Sequence, residues 1–108
     1  MSRLGKKLRA HGWEKEYDGI YIRYRKDDMQ LTYSDSTKDY YMLTSLDESQ
    51  MVACSPWWWK GKHQLISNKL IISDRHKFFE LFMGARNLEH AYRIADNYKM
   101  EEMINKTL

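Results

Sequence analysis

Residues 19–33, with the sequence GIYIRYRKDDMQLTY, decide the fold of this chain. Apolar and polar side chains alternate at 19–25 and again at 29–33, which is the pattern of strands that bury one face. The lysine and two aspartates at 26–28 predict a tight turn, so the two strands are expected to pair as an antiparallel hairpin. A polar stretch and a further strand at 40–44 extend this hairpin to a three-stranded meander.

Helices are predicted on both sides of the meander. The first covers 3–11, where Ser2 is placed as the N-cap and Gly12 supplies the left-handed residue that ends many helices. Near the other end of the chain, a phenylalanine-rich stripe predicts a helix at 75–83. Asn87 is placed as the N-cap of a final helix.

The secondary structure of two segments in the middle of the chain is not decided by their sequence. Residues 45–56 fit either a helix or a strand, and 64–72 fit either one bent strand or a hairpin. Because strands and helices segregate along the chain instead of alternating, we expect an α+β fold. The expected architecture is a single domain over 1–108. It has an N-terminal helix, the antiparallel meander extended by one or two further strands, and two C-terminal helices packed on the sheet.

Composition restricts the kind of protein and its compartment. With 108 residues, 43% of them hydrophobic, the chain has room for one core and is not expected to be disordered. No apolar run approaches the ~20 residues of a membrane span, and the opening residues lack the apolar stretch of a secretory signal. The single cysteine, Cys54, fits a reducing compartment. We therefore expect a cytoplasmic protein without membrane contact.

The net charge of +3 is unevenly distributed along the chain. Residues 1–26 carry +5, 27–56 carry −5, 57–77 carry +4 and 78–108 carry −1. This alternation is compatible with a bipolar surface that attracts partners of either sign, and equally with an ordinary solvated surface.

The tryptophan triplet Trp57, Trp58 and Trp59, followed by Lys60 and Lys62, is the least ordinary segment. Neighbouring residues in an extended chain point to opposite faces, so all three rings cannot enter one core. Exposed indole rings beside lysines suit a protein hot spot, and they also suit base stacking along a phosphate backbone. The structural alternative is that Trp57 and Trp59 are core residues and Trp58 covers a helix edge.

A second candidate surface lies on the predicted outward face of the first strand of the meander. Ile20 is expected to point inward there, while Tyr21, Arg23 and Arg25 point outward, and Lys26 follows. An aromatic and basic sheet face can bind single-stranded nucleic acid, and it can also be a solvated face whose arginine stems cover apolar surface. The first helix adds a secondary basic patch, which consists of Lys6, Lys7 and Arg9.

Neither a catalytic nor a metal site is predicted from the residue pattern. The histidines are dispersed, and no two of them lie four positions apart on a predicted helix: His11, His63, His76 and His90. The glycines do not form a phosphate-binding loop. We therefore expect no metal, no cofactor and no enzymatic activity.

Three short stretches, LRAHGWE at 8–14, DGIYIRY at 18–24 and QLTY at 30–33, resemble the helix-then-meander frame of HicA-type toxins. The resemblance implies a fold like that of double-stranded RNA-binding domains. Those toxins carry a catalytic histidine just after the glycine that opens the first strand, whereas Ile20 follows Gly19 in this chain. The resemblance therefore implies the frame and not the RNase activity of that family.

Three functions are compatible with these features. The first is a small non-enzymatic interaction protein that docks on and blocks a macromolecular partner, a host or complex protein, in the style of bacteriophage and mobile-element inhibitors. The alternative is binding of RNA or single-stranded DNA through the same groups. The third is a small RNase-type toxin, with His11, His63 and His76 as candidate acid–base groups. A homodimer also stays open, because apolar residues at the end of the last helix continue beyond its stripe.

Overall fold

The computed structural model describes residues 3–56 and 70–107. The described elements follow one another as α1 (Arg3–Ala10), β1 (Glu14–Asp18), β2 (Ile22–Lys26), β3 (Met29–Tyr33), β4 (Tyr41–Ser45), β5 (Met51–Cys54), β6 (Leu70–Ile71), α2 (Arg75–Phe82) and α3 (Leu88–Thr107). The strands form a sheet in chain order, antiparallel from β1 to β5, and β6 pairs parallel to β5. The expected α+β architecture, with helices packed on the sheet, is confirmed.

The end of α1 follows the prediction from Gly12. The N–H of Gly12, with φ of 90°, donates to the carbonyl of Arg9, and the N–H of Trp13 donates to the carbonyl of Leu8, both at 3.0 Å. These two bonds form a Schellman motif, in which glycine adopts the left-handed conformation at little cost. Trp13 thereby turns into the core, where it is 1% exposed and its indole N–H donates to the carbonyl of Met83 at 2.8 Å.

The strand β1 is an addition to the predicted meander. Its sequence, EKEYD, shows no apolar alternation because most of its side chains face solvent. It pairs with β2, and a bulge between Lys15 and Tyr17 shifts the register. A charged and bulged strand suits the edge of a sheet because it discourages pairing with another chain.

The structure gives the secondary structure of the two undecided segments, 45–56 and 64–72, where it describes them. Met51–Cys54 is a strand, and all four of its residues are buried, so the segment lacks the alternation of a half-exposed strand. Within 64–72, Leu70 and Ile71 form β6, and residues 64–69 lie outside the described part of the chain.

The side chains of α1, α2 and α3 pack against one face of the sheet. The main core there joins the sheet to Leu8 of α1, to the phenylalanines of α2 and to Ala91 and Ala95 of α3. Side-chain oxygens cap the starts of α2 and α3, and Ser2, the predicted N-cap of α1, lies outside the described residues. The carboxylate of Asp74 accepts from the first turn of α2, and the side-chain oxygen of Asn87 accepts the N–H of His90 at 2.9 Å.

The opposite face of the sheet, here called the second face, is defined by one row of paired residues. The row crosses the six strands in the order Tyr17, Arg23, Thr32, Met42, Cys54 and Ile71. Tyr17 is 55% exposed, whereas Thr32, Met42 and Cys54 are buried. The exposed part of the second face therefore lies on β1 and β2.

The buried hydroxyl of Thr32, on the second face, leads to a prediction about stability. Its Oγ1 is buried and has no hydrogen-bond partner among the described residues. Thr32→Val is expected to raise the free energy of unfolding by about 1 kcal/mol, because it removes an unsatisfied buried hydroxyl. The matched control is Thr44→Val, since the hydroxyl of Thr44 is buried and donates to the carbonyl of Ser45 at 2.9 Å.

Urea unfolding of the two variants checks this prediction. Thr44→Val is expected to lower the free energy of unfolding by about 1 kcal/mol, because it removes the hydrogen bond that the buried hydroxyl donates to the Ser45 carbonyl. Equal losses of stability in Thr32→Val and Thr44→Val would contradict the assignment of Thr32 as unsatisfied.

Candidate functional site

The turn between β1 and β2 exposes apolar and aromatic side chains together. Ile20 is 80% exposed, Tyr17 is 55% exposed and Tyr21 is 41% exposed. The expected inward orientation of Ile20 is wrong, because β2 begins only at Ile22 and the residues before it form the turn. These side chains and the two arginines that follow are called the hairpin surface, which consists of Tyr17, Ile20, Tyr21, Arg23 and Arg25.

The tyrosine rings of the hairpin surface are held by their neighbours. The ring of Tyr21 stacks on the ring of Tyr40, with 4.6 Å between the centroids and 27° between the planes. Tyr40 itself is buried, and this burial, with added repulsion from Tyr21 and Glu48, raises the pKa of Tyr40. Tyr40 therefore stays neutral near pH 7, and its buried ring is a fixed surface on which the exposed ring of Tyr21 stacks.

The ring of Tyr17 lies over the turn, at Gly19. A Cβ atom built on Gly19 would lie only 2.6 Å from the Tyr17 Oη atom. A side chain at this position would therefore push the ring of Tyr17 away, which links the glycine of the turn to the shape of the hairpin surface.

The arginines of the hairpin surface lie beside carboxylates. Arg25 Nε is 2.9 Å from Glu16 Oε2, and Arg23 Nη2 is 3.8 Å from Glu48 Oε1. Glu48 also accepts from the side-chain amide of Gln30 at 3.2 Å. The side chains point outward as predicted, but their charges are balanced across strands, so this surface has little net positive charge.

The remaining residues of the predicted partner-binding set lie elsewhere. Lys26 is at the opposite end of β2 from the turn, and its Nζ atom is 5.7 Å from the ring centroid of Trp13. Burial at this position lowers the pKa of Lys26. The tryptophan loop lies outside the described residues, so its part of the prediction stays open: Trp57, Trp58, Trp59, Lys60 and Lys62.

Only one residue of the secondary basic patch, Lys7, lines a groove that the sequence did not predict. This α1–α2 groove has a volume of about 870 Å³ and lies between α1, α2 and the loop from β3 to β4. Lys7 lines it, together with Arg3 and both His11 and His76. Lys6 and Arg9 are exposed on α1 but do not line the groove. The groove joins residues of α1 to residues of the β3–β4 loop and of α2, which are far apart in the sequence, so no local pattern indicates it.

The described ranges give no sign of a metal centre or of a membrane segment. Within 3–56 and 70–107, no three His, Cys, Asp or Glu side chains come together as metal ligands. None of the helices in these ranges is both long enough and apolar enough to cross a membrane. Comparisons with protein-family models, with curated proteins and with solved structures found no match to this chain.

Proposed function

We propose that this protein is a non-enzymatic binding protein that docks on a protein partner through the hairpin surface and blocks the region it covers. The observation that carries the proposal is the 80% exposure of Ile20 between two half-exposed tyrosines. Tyrosine and arginine are enriched at protein hot spots. Because the ring of Tyr21 is already stacked on Tyr40, less side-chain freedom is lost on binding.

The charge balance favours a protein over a nucleic acid on this surface. A phosphate backbone is bound by positive charge that has no other partner, and each arginine here faces a carboxylate. Ion pairs at the edge of an apolar patch instead suit the polar rim of a protein interface. The RNase-type alternative stays a prediction, with His11 and His76 on the α1–α2 groove and His63 outside the described residues.

The proposal includes three features that rest on the sequence. The tryptophan loop, Trp57–Trp59 with Lys60 and Lys62, is proposed as a further anchor for the partner. The single cysteine supports a cytoplasmic location. The third feature is an inhibitor role in the style of small bacteriophage proteins. We include it because a binding protein without its own chemistry acts by covering the surface of its partner.

The test is capture of a partner from lysate after nuclease treatment, followed by affinity measurement on the purified pair. Ile20→Asp is expected to weaken binding by about thirtyfold or more, because it places a charge at the centre of the contact. Met100→Asp is the matched control, since Met100 is 61% exposed on α3, away from the hairpin surface. Gly19→Ala is expected to weaken binding less, because it moves only the ring of Tyr17.

Three results would contradict the proposal. The first is equal binding by Ile20→Asp and the parent chain, and the second is equal loss in Ile20→Asp and Met100→Asp. The third is loss of the partner on nuclease treatment, together with an affinity that falls steeply with salt, which indicates nucleic acid. The double variant Trp58→Ala with Lys60→Ala separately measures the contribution of the tryptophan loop.

A further inference from the structure

The α1–α2 groove has the features of a second binding site. Its volume of about 870 Å³ lies within the range of about 300–1,000 Å³ that ligand sites occupy. Leu4, Phe79 and Met83 form its apolar lining, and Arg3 and Lys7 line it from α1. The groove is on the helical side of the sheet, whereas the hairpin surface belongs to the second face, so the two sites are separate.

Of the two carboxylates that line the groove, Asp35 faces two cations and Glu80 lies beside a histidine. Asp35 Oδ1 lies 3.7 Å from Arg75 Nη2 and 3.8 Å from Lys38 Nζ. Glu80 lies 4.0 Å from the His76 ring nitrogen. Neither acid forms an ion pair with Arg3 or Lys7, so the positive charge on the α1 side of the groove has no counterpart among the described residues.

Arg3 and Lys7 carry that remaining charge. They are four residues apart on α1, so their side chains lie on the same face of the helix, and like charges at this spacing repel each other. Neither makes an ion pair with any residue that the structure describes. An anionic ligand relieves this repulsion, so the expected ligand carries at least two negative charges.

The apolar lining favours a peptide over a nucleic acid. Phe79 is 5% exposed, and the guanidinium carbon of Arg75 lies 5.2 Å from its ring centroid, so this ring offers no open face for base stacking. Leu4 and Met83 are half-buried and present aliphatic surface. A peptide helix inserts apolar side chains, spaced by one turn, into grooves of this kind.

We propose that the α1–α2 groove binds an acidic segment of a protein partner. Carboxylates of that segment pair with Arg3 and Lys7, and an apolar side chain between them covers Leu4 and Met83. Arg75 forms a rigid wall of the groove, because its guanidinium donates to the carbonyl of Ser34 at 3.2 Å. This site goes beyond the proposed function, since it does not use the hairpin surface.

The test uses a short, fluorescently labelled peptide of glutamates with two leucines one helical turn apart. Its affinity for the full chain is measured by fluorescence anisotropy. Lys7→Ala is expected to weaken binding by about threefold, and the double variant Arg3→Ala with Lys7→Ala by about tenfold. Lys6→Ala is the matched control, because it removes the same charge from the same helix outside the groove, and it is expected to bind like the parent chain.

Control ligands separate the charge from the apolar contact. A peptide with glutamine in place of glutamate is expected to bind about tenfold more weakly or worse, and one with serine in place of leucine about fivefold more weakly or worse. The proposal is overturned if the parent chain does not bind the glutamate–leucine peptide or if the serine peptide binds equally well. It is also overturned if Lys6→Ala weakens binding as much as Lys7→Ala.

A single-stranded oligouridylate is the remaining competitor. Tighter binding of this RNA than of the peptide, with the same dependence on Lys7, would assign the groove to nucleic acid and overturn the proposal. Ile20→Asp is expected to leave the affinity for the peptide unchanged. The failure of the groove and the failure of the hairpin surface are therefore distinguishable.

Discussion

Replacing Trp13 with alanine is expected to lower the free energy of unfolding by about 3–5 kcal/mol. The ring is 1% exposed, so its removal leaves a large cavity in the main core. The indole N–H also joins the end of α1 to the end of α2 through the carbonyl of Met83. Since the free energy of unfolding of small domains is about 5–15 kcal/mol, this loss is a large part of the total stability.

Urea unfolding of three variants separates the contributions at this position. Trp13→Phe keeps much of the apolar contact but leaves the Met83 carbonyl without its donor, so an intermediate loss of about 1–3 kcal/mol is expected. Tyr17→Ala is the aromatic control, because Tyr17 is 55% exposed, and its effect is expected to stay within about 0.5 kcal/mol. A loss for Trp13→Ala as small as that of Tyr17→Ala would contradict the packing described here.

The second large effect is expected at Phe78. Phe78→Ala should also lower the free energy of unfolding by about 3–5 kcal/mol. The ring is 0% exposed, and its centroid lies 4.7 Å from that of Tyr41 on β4 and 5.5 Å from that of Phe82. Phe78 thus connects α2 to the centre of the sheet, and its loss removes contacts on both elements.

Thermal unfolding with a control on the same helix tests this role. His76→Ala changes a side chain that is 86% exposed, so the midpoint of unfolding is expected to stay close to that of the parent chain. For Phe78→Ala, a midpoint lower by at least about 10 °C is expected for a domain of this size. Similar midpoints for the two variants would show that α2 is not held by this contact.

Much of the architecture could be predicted because local patterns and tertiary packing agree. The apolar residues that alternate in 22–33 lie on the core face of the β2–β3 hairpin, and Gly12 ends α1 because only the local backbone is involved. Asn87 caps α3 by a bond within one turn. Such features depend on neighbours in the sequence, and single-sequence patterns report them well.

The candidate sites were less predictable because they depend on register and on distant pairs. Arg25 and Glu16 meet only because β1 pairs with β2, and β1 carries no apolar pattern from which to predict it. Arg23 on β2 lies beside Glu48, which belongs to the turn between β4 and β5. The α1–α2 groove joins α1 to residues of α2 about 70 positions further along the chain, so its charge imbalance is a tertiary property.

The parallel pairing of β6 with β5 has a consequence for the order of assembly. Strands β1 to β5 are joined by short turns, so each pair forms through closure of a small loop. Ala53 pairs with Leu70, and closing this longer loop costs more chain entropy. During synthesis from the N-terminus, the five-stranded meander is therefore expected to emerge and pair before β6 and α2 arrive. The nascent chain then presents Ile20 and its flanking tyrosines to other molecules while its own core is still incomplete.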